Sequence, residues 1–356
     1  MATGSKASAT PSWGLIKVEV EVCDLEELRG VFAELDPSTG KHLGTDDDTR
    51  AAYLGERLAA FRRALQVGYI PLLRLLCRRG CPHSVRPAVW KQLLGGEVGD
   101  KEVVYLEQIH ASLRQWELIT DELFRLDVTL TSNDDNYFVF EELLSDTVAA
   151  MSRDPWLVSH AAVKSQANET FYADSNQREA AVFPPCGVVP FRGIVMYATP
   201  VCYLFAEPAD LYFVYRALYA QYCCRLHTVS SQTGDILQLS RQFEAVFQES
   251  HPHVYYHLLA IASPPLKLVF NWIVFAFAGY LEVGQVMALW DRILAWDSLL
   301  VVPVAAAAIL AFREKRLLEC TCADEVHQVL ADASTLQVVQ LLQLYLFKDR
   351  LEALRD

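Results

Sequence analysis

The 356-residue chain is 52% hydrophobic and 21% charged, enough apolar material for a large core and too little charge for bulk disorder. Its net charge of −13 comes without any block of lysine and arginine, which excludes a nucleic-acid-binding face. The nine cysteines are odd in number, lie mostly in apolar surroundings and form no C-x-x-C pair, so they read as reduced core thiols of a cytoplasmic protein with no metal site.

Residues 1–12 are small and polar and read as a disordered leader; residues 13–64 read as an N-terminal extension with a first helix. Within it, 14–22 alternates apolar and charged side chains, the pattern of one short strand. Glu26–Glu34 suits a short helix, and Asp36–Asp48 reads as a loop. From about residue 50 the spacing turns helical. Leu54, Leu58, Phe61 and Leu65 form one stripe; a second helix starts at Pro71 and stops at Arg78-Arg79-Gly80. Leu106, Ile109, Leu113, Trp116 and Leu123 predict one longer helix, and Phe138–Met151 another. Residues 159–188 are polar, then proline-rich, and read as a long loop, either functional or a tolerated surface insertion. Nine further helical segments are predicted from 194 to 347, and 348–356 is left as a tail. Leu299–Phe312, the most apolar run, is too short to span a bilayer and holds Pro303, so it predicts a buried helix and no transmembrane segment.

Two motifs stand out. In Arg79-Gly80-Cys81-Pro82-His83-Ser84-Val85-Arg86-Pro87-Ala88-Val89-Trp90 a helix stops at glycine, turns through proline and restarts with Arg86 and Trp90 one turn apart on a shared face. The second is an aromatic segment, Phe270, Trp272, Phe275, Phe277 and Tyr280, followed by Leu289-Trp290-Asp291-Arg292. Together they resemble the opening and late motifs of the TBC domain, the Rab GTPase-activating family, over roughly residues 65–347. The resemblance implies an all-α, multi-helix fold carrying a short N-terminal strand and loop extension. It gives Gly80, Pro82, Arg86, Trp90, Trp290 and Asp291 a role in maintaining that fold. It also implies a Rab-family small GTPase as partner in vesicle traffic, with trafficking adaptors beside it and peripheral placement on endomembranes through partners. The chain would need no cofactor, since the GTPase carries GTP and Mg.

Such a domain accelerates hydrolysis with two polar fingers. An arginine neutralises charge on the leaving oxygens, worth about 10³ to 10⁵ in rate or roughly 4–7 kcal/mol, and a glutamine orients the water. The family's arginine motif, I-x-x-D-x-x-R, is similar to Phe124-Arg125-Leu126-Asp127-Val128-Thr129-Leu130, where Asp127 keeps the aspartate and Leu130 stands in place of the arginine. Asp127 is left to cap or brace a helix end. Arg125 is a substitute only in a register that pairs it with Asp121, one residue too long. The glutamine motif, Y-x-Q, is similar to Pro190-Phe191-Arg192-Gly193, with Arg192 in place of the glutamine and Gly193 retained. An arginine cannot accept a hydrogen bond from water, so Arg192 is either a relocated finger or an arginine that touches an anionic partner or the fold. No intact catalytic pair remains. The implied protein is a GTPase-binding member with weak or no activity; the alternatives are an activator using Arg192 or Arg125 and a helical adaptor without GTPase binding. His253 and His257 lack the glutamate of a zinc-protease motif, and no phosphate-binding P-loop occurs.

Overall fold

Residues 20–37, 51–163, 169–174, 177–229 and 234–353 are described by the computed structural model. The strand expected over 14–22 and the loop expected over 36–48 lie largely outside these residues; 20–22 belong to no regular element. Asp24 caps the first helix, α1 (Leu25–Val31), by accepting from the Glu27 amide while Glu27 accepts from the Asp24 amide. In α2 (Ala51–Val67) Phe61 is fully buried, Leu58 and Leu65 are partly buried, and Leu54 sits at the solvent edge. Then come α3 (Ile70–Cys77), with Pro71 in its first turn, and α4 (Arg86–Leu94), closed by Gly95 at φ 68°.

The single long helix expected through Trp116 is two helices, α5 (Asp100–Gln115) and α6 (Ile119–Ser132). The apolar spacing runs on, but a tertiary contact breaks the backbone. Trp116 is extended, and Arg153 lies over its ring at 4.7 Å, donates to its carbonyl at 2.9 Å and clamps Asp121 at 2.6 Å. Asp121 in turn accepts from the Leu118 amide and starts α6.

A 3-10 turn, Phe138–Phe140, leads into α7 (Glu141–Ser152) and α8 (Trp156–His160). The stretch expected to be loop contains an antiparallel hairpin, β1 (Glu169–Asp174) and β2 (Gln177–Phe183), with Glu169 opposite Phe183. Its polar composition conceals the strand-forming runs Thr170-Phe171-Tyr172 and Val182-Phe183. Otherwise the described residues form an all-α architecture.

After a 3-10 turn at Ile194–Tyr197 come α9 (Thr199–Cys202) and α10 (Pro208–Leu218), which passes through a π-turn at Tyr219–Cys223 into α11 (Cys224–His227). The chain then runs through α12 (Ile236–Ser250), α13 (Pro252–Ala260), α14 (Pro265–Val274), α15 (Val283–Trp296), α16 (Val301–Phe312), α17 (Glu314–Glu319), α18 (Ala323–Ala331) and α19 (Val338–Ala353). As its composition predicts, α16 is buried from Val301 to Leu310, packed between α12 and α19. The expected boundaries at 64–65 and 347–348 fall inside α2 and α19. The N-terminal segment is stitched to α19: Gln343 donates to the Leu35 carbonyl at 2.9 Å, Arg29 to the Leu346 carbonyl, and Arg350 pairs with Asp36. Among the described residues no single helix is long and apolar enough to cross a membrane; α13 and α14 would be only together, and they are bent by 105°.

Candidate functional site

The two sequence motifs meet at a buried carboxylate. Gly80, at φ 100°, makes the turn after α3, and the Pro82 carbonyl accepts from the Val85 and Arg86 amides as α4 starts. This turns Arg86 and Trp90 toward Asp291 on α15. The Asp291 carboxylate accepts from Arg86 Nε at 3.1 Å and Nη2 at 3.0 Å, from Trp90 Nε1 at 2.8 Å and from the Cys81 amide at 3.2 Å. All three side chains are sealed from solvent. Burial pushes the Asp291 carboxyl pKa up, and the Arg86 guanidinium opposes that rise.

From this hub a contiguous path leads to the finger positions. Trp90 stacks on Trp290 at 6.2 Å, and Trp290 Nε1 donates to the Ala276 carbonyl at 2.9 Å. Ala276 and Phe277 sit at φ 42° and 68°, in the left-handed region that L residues rarely adopt, and need such external bonds to stay there. The Tyr197 hydroxyl supplies another, donating to the Val274 carbonyl at 2.7 Å. The turn so fixed holds the Phe275 ring against Gly193. A Cβ on Gly193 would lie 2.5 Å from Phe275 Cζ, and Gly193 itself is at φ 94°. Gly193→Ala is therefore expected to lower stability by about 2–4 kcal/mol, combining left-handed strain with overpacking. Urea unfolding checks it; a loss under about 0.5 kcal/mol would show that the ring moves aside freely.

Asp127 ties the two finger segments together. It is buried in the middle of α6, and its carboxylate accepts from the Gly193 amide at 2.6 Å and the Val195 amide at 2.9 Å. These are donors at the start of the 3-10 turn Ile194–Tyr197, whose own cap residue has no side chain to offer. The brace acts on a helical end 66 residues away in sequence. Leu130, one turn beyond Asp127, projects to solvent. With Ile119 (87% exposed), Leu123 (49%), Leu126 (55%) and Leu130 (43%) it forms an uninterrupted apolar line along the outer face of α6. Arg125 is about 140° around the helix from Leu130. It is exposed and paired with Glu122 at 3.2 Å, away from the Asp127 side of the helix. Asp121, the aspartate of the alternative register, is held by Arg153 at 2.6 Å, whereas Asp127 is the one that reaches the second segment.

In the second segment alternate residues are anchored. Phe191 packs its ring 4.8 Å from His227 and 6.4 Å from Tyr197, Gly193 is held as above, and Arg192 between them is exposed. Phe191 and Phe275 stand in motifs read from the sequence, but the part they and His227 play in anchoring this segment was not apparent there; the only local signal was the aromatic density around them. His227 is enclosed by aromatic rings, with Nε2 2.9 Å from the Tyr219 hydroxyl, and burial lowers its pKa to about 4. The folded state thus keeps His227 neutral where the unfolded chain protonates near 6.5. This contribution is present above pH 6.5 and is lost as pH falls toward 4, by as much as about 3 kcal/mol. His227→Gln is expected to flatten the fall of the urea midpoint between those pH values. Parallel curves for the two proteins would contradict it.

Other candidates have ordinary roles. His257 bonds the Cys320 carbonyl at 2.9 Å and His253 is exposed. Seven cysteines are buried, Cys23 is half-buried and Cys322 exposed, all of them free; burial pushes the Cys186 and Cys202 thiols up to about 12, the opposite of a nucleophile.

Comparison with known proteins agrees with this geometry. Residues 191–318 match the Rab-GTPase-TBC domain model, a span that opens at Phe191 and includes the Trp290–Asp291 hub. The chain is 38% identical over 351 residues to human TBC1 domain family member 19, covering 97% of this chain and 66% of that protein. In fold it is similar to the Chlamydomonas flagellar RabGAP TBC domain, with a TM-score of 0.59 at 14% identity over 92% of this chain and 97% of that one. It is also similar to the Ypt/Rab-GAP domain of Gyp1p, with a TM-score of 0.53 at 15% identity over 80% and 92%. With this domain model matched, 38% identity along nearly the whole chain and the two motifs joined at Asp291, the chain belongs to the Rab-GTPase-TBC domain family.

Proposed function

We propose that this chain is a binding module for a Rab-family GTPase in vesicle traffic, with little or no capacity to speed GTP hydrolysis. The observation that carries the reading is Leu130. It occupies the arginine position on an exposed apolar line, while Asp127 still fixes that helix to the loop of Arg192. A leucine cannot neutralise phosphate charge, and a guanidinium at 192 cannot accept a hydrogen bond from the attacking water. What remains is a preorganised surface with apolar side chains on α6 and one exposed cation on the adjoining loop. GTP and Mg would belong to the GTPase, and placement on endomembranes would follow from partners.

The test is a Rab panel, each member loaded with GTP or GDP, measured for binding to the chain and for single-turnover hydrolysis in its presence. Nucleotide-dependent binding with an unchanged hydrolysis rate is expected; clear acceleration by the unmodified chain sinks the reading. A second reading rests on the exposure of Arg192 between two anchored neighbours, which makes it a relocated arginine finger. That reading requires acceleration by the chain and its loss in Arg192→Ala.

A further inference from the structure

Beside the end of α6 lies a cavity of about 590 Å³. Asp134, Tyr137, Tyr203, Tyr280, Glu282 and Ser334 line it, and its lining includes no lysine or arginine. Two phenol hydroxyls are already engaged, Tyr280 donating to the Leu330 carbonyl at 2.8 Å and Tyr203 to the Asn136 carbonyl, and Tyr137 is buried beside Thr199 and Gly279. The Tyr280 ring is also held by stacking on Trp272 at 4.2 Å, and the Tyr203 ring by Phe140 at 4.7 Å. What the walls offer a ligand is therefore aromatic surface and carboxylate oxygen. One oxygen of Asp134 accepts from the Asn136 amide and side chain; among the described residues the Glu282 carboxylate has no partner.

The electrostatics decide the sign of the occupant. Val283 and Gly284 bring the start of α15 to the cavity, and a helix N-terminus favours anions with roughly half a unit of positive charge. Two formal carboxylate charges outweigh it. Arg313, the nearest cation to the Tyr280 hydroxyl, is not in the lining; it donates to the Asp332 carbonyl at 2.8 Å, beside the lining residues Ala333 and Ser334. Directly after the lining residue Tyr137 the chain presents Phe138 and Val139, which are 60% and 62% exposed. A free small cation has no use for such apolar neighbours, whereas a basic side chain carried on a protein segment does.

We infer that this cavity receives an arginine or lysine side chain of a partner protein, whose flanking apolar residues rest on Phe138 and Val139. Carboxylates bind the cationic head, and tyrosine rings bind its planar or methylene surface. The chain's net charge of −13 draws such a basic segment toward it. The inference does not depend on any GTPase being the partner.

The test uses the full chain labelled with 3-fluorotyrosine, with the Tyr203 and Tyr280 ¹⁹F signals assigned through Tyr203→Phe and Tyr280→Phe. The probes are N-acetyl-arginine methylamide, its uncharged citrulline counterpart, and the peptide acetyl-Leu-Arg-Leu-methylamide, titrated at millimolar concentration. Arginine is expected to shift both signals saturably. Citrulline should bind about tenfold more weakly, as should arginine to the Asp134→Asn/Glu282→Gln variant, the order expected for loss of close ion pairs in a partly enclosed site. The peptide should bind tighter than arginine alone, and an unchanged thermal midpoint in the variant separates lost binding from lost folding. Absence of saturable shifts, equal binding of citrulline, or indifference to the two carboxylate changes would overturn the cation site; a peptide no tighter than arginine would overturn the protein partner.

Discussion

Asp291→Ala is expected to cost about 3–5 kcal/mol and to lower the thermal midpoint by roughly 10 °C. The loss is large because the carboxylate is the shared acceptor for Arg86, Trp90 and the Cys81 amide, all enclosed. Removing it leaves a buried guanidinium without its counter-charge, though still bonded to the Cys81 carbonyl at 2.9 Å, and takes the acceptor from two further donors; such buried groups cost more than the bonds they lose were worth. Asp291→Asn keeps acceptor capacity but not charge, so it should fall between wild type and alanine. Differential scanning calorimetry orders the three proteins. An alanine variant within about 1 kcal/mol of wild type would mean that water reaches the hub and solvates Arg86. Because Trp290 carries the hub's position to the Ala276 turn, the alanine variant should also loosen Gly193.

Leu130→Arg combined with Arg192→Gln is expected to convert the chain into an activator. It should raise single-turnover GTP hydrolysis by a bound Rab about 10³-fold or more over the unmodified chain. Both positions tolerate the change: each is exposed, so neither a new guanidinium nor a new amide is buried. The backbone that would aim them is already fixed by Asp127, Phe191 and Gly193. Adding Asp127→Ala to the double variant should erase the gain, because the two segments then lose their common acceptor. A double variant that binds a Rab without accelerating hydrolysis would show that something besides the two side chains has changed in the site.

Much of the helical corner from Gly80 to Trp90 was legible because its signals are local: glycine after a helix, proline in a turn, and a shared face for Arg86 and Trp90. That these residues meet Asp291 across 205 positions was not, and only the resemblance joined the motifs. The break at Trp116 was illegible for a different reason. Apolar spacing continues through it, and the interruption comes from Arg153, 37 residues on. The hairpin at 169–183 was hidden by polar composition. Asp127 was readable as a brace, yet the segment it braces lies 66 residues away, where sequence spacing carries no information. Phe275 was visible as part of the late aromatic motif, but not its place against Gly193, since Ala276 and Phe277 hold left-handed conformations that their residue types do not announce.

The bond from Asp127 to the Gly193 and Val195 amides separates two properties that the family's motif writes as one. The aspartate sets the spacing between two segments; on the proposed function, the residues three further along and one before the glycine decide what those segments can do. Spacing and chemistry can therefore be lost or regained independently. A sequence that keeps this aspartate preserves the relative placement of the two segments and is silent about turnover, so on the proposed function sorting such chains into active and inactive members calls for the tips of the two segments and not for the pin between them.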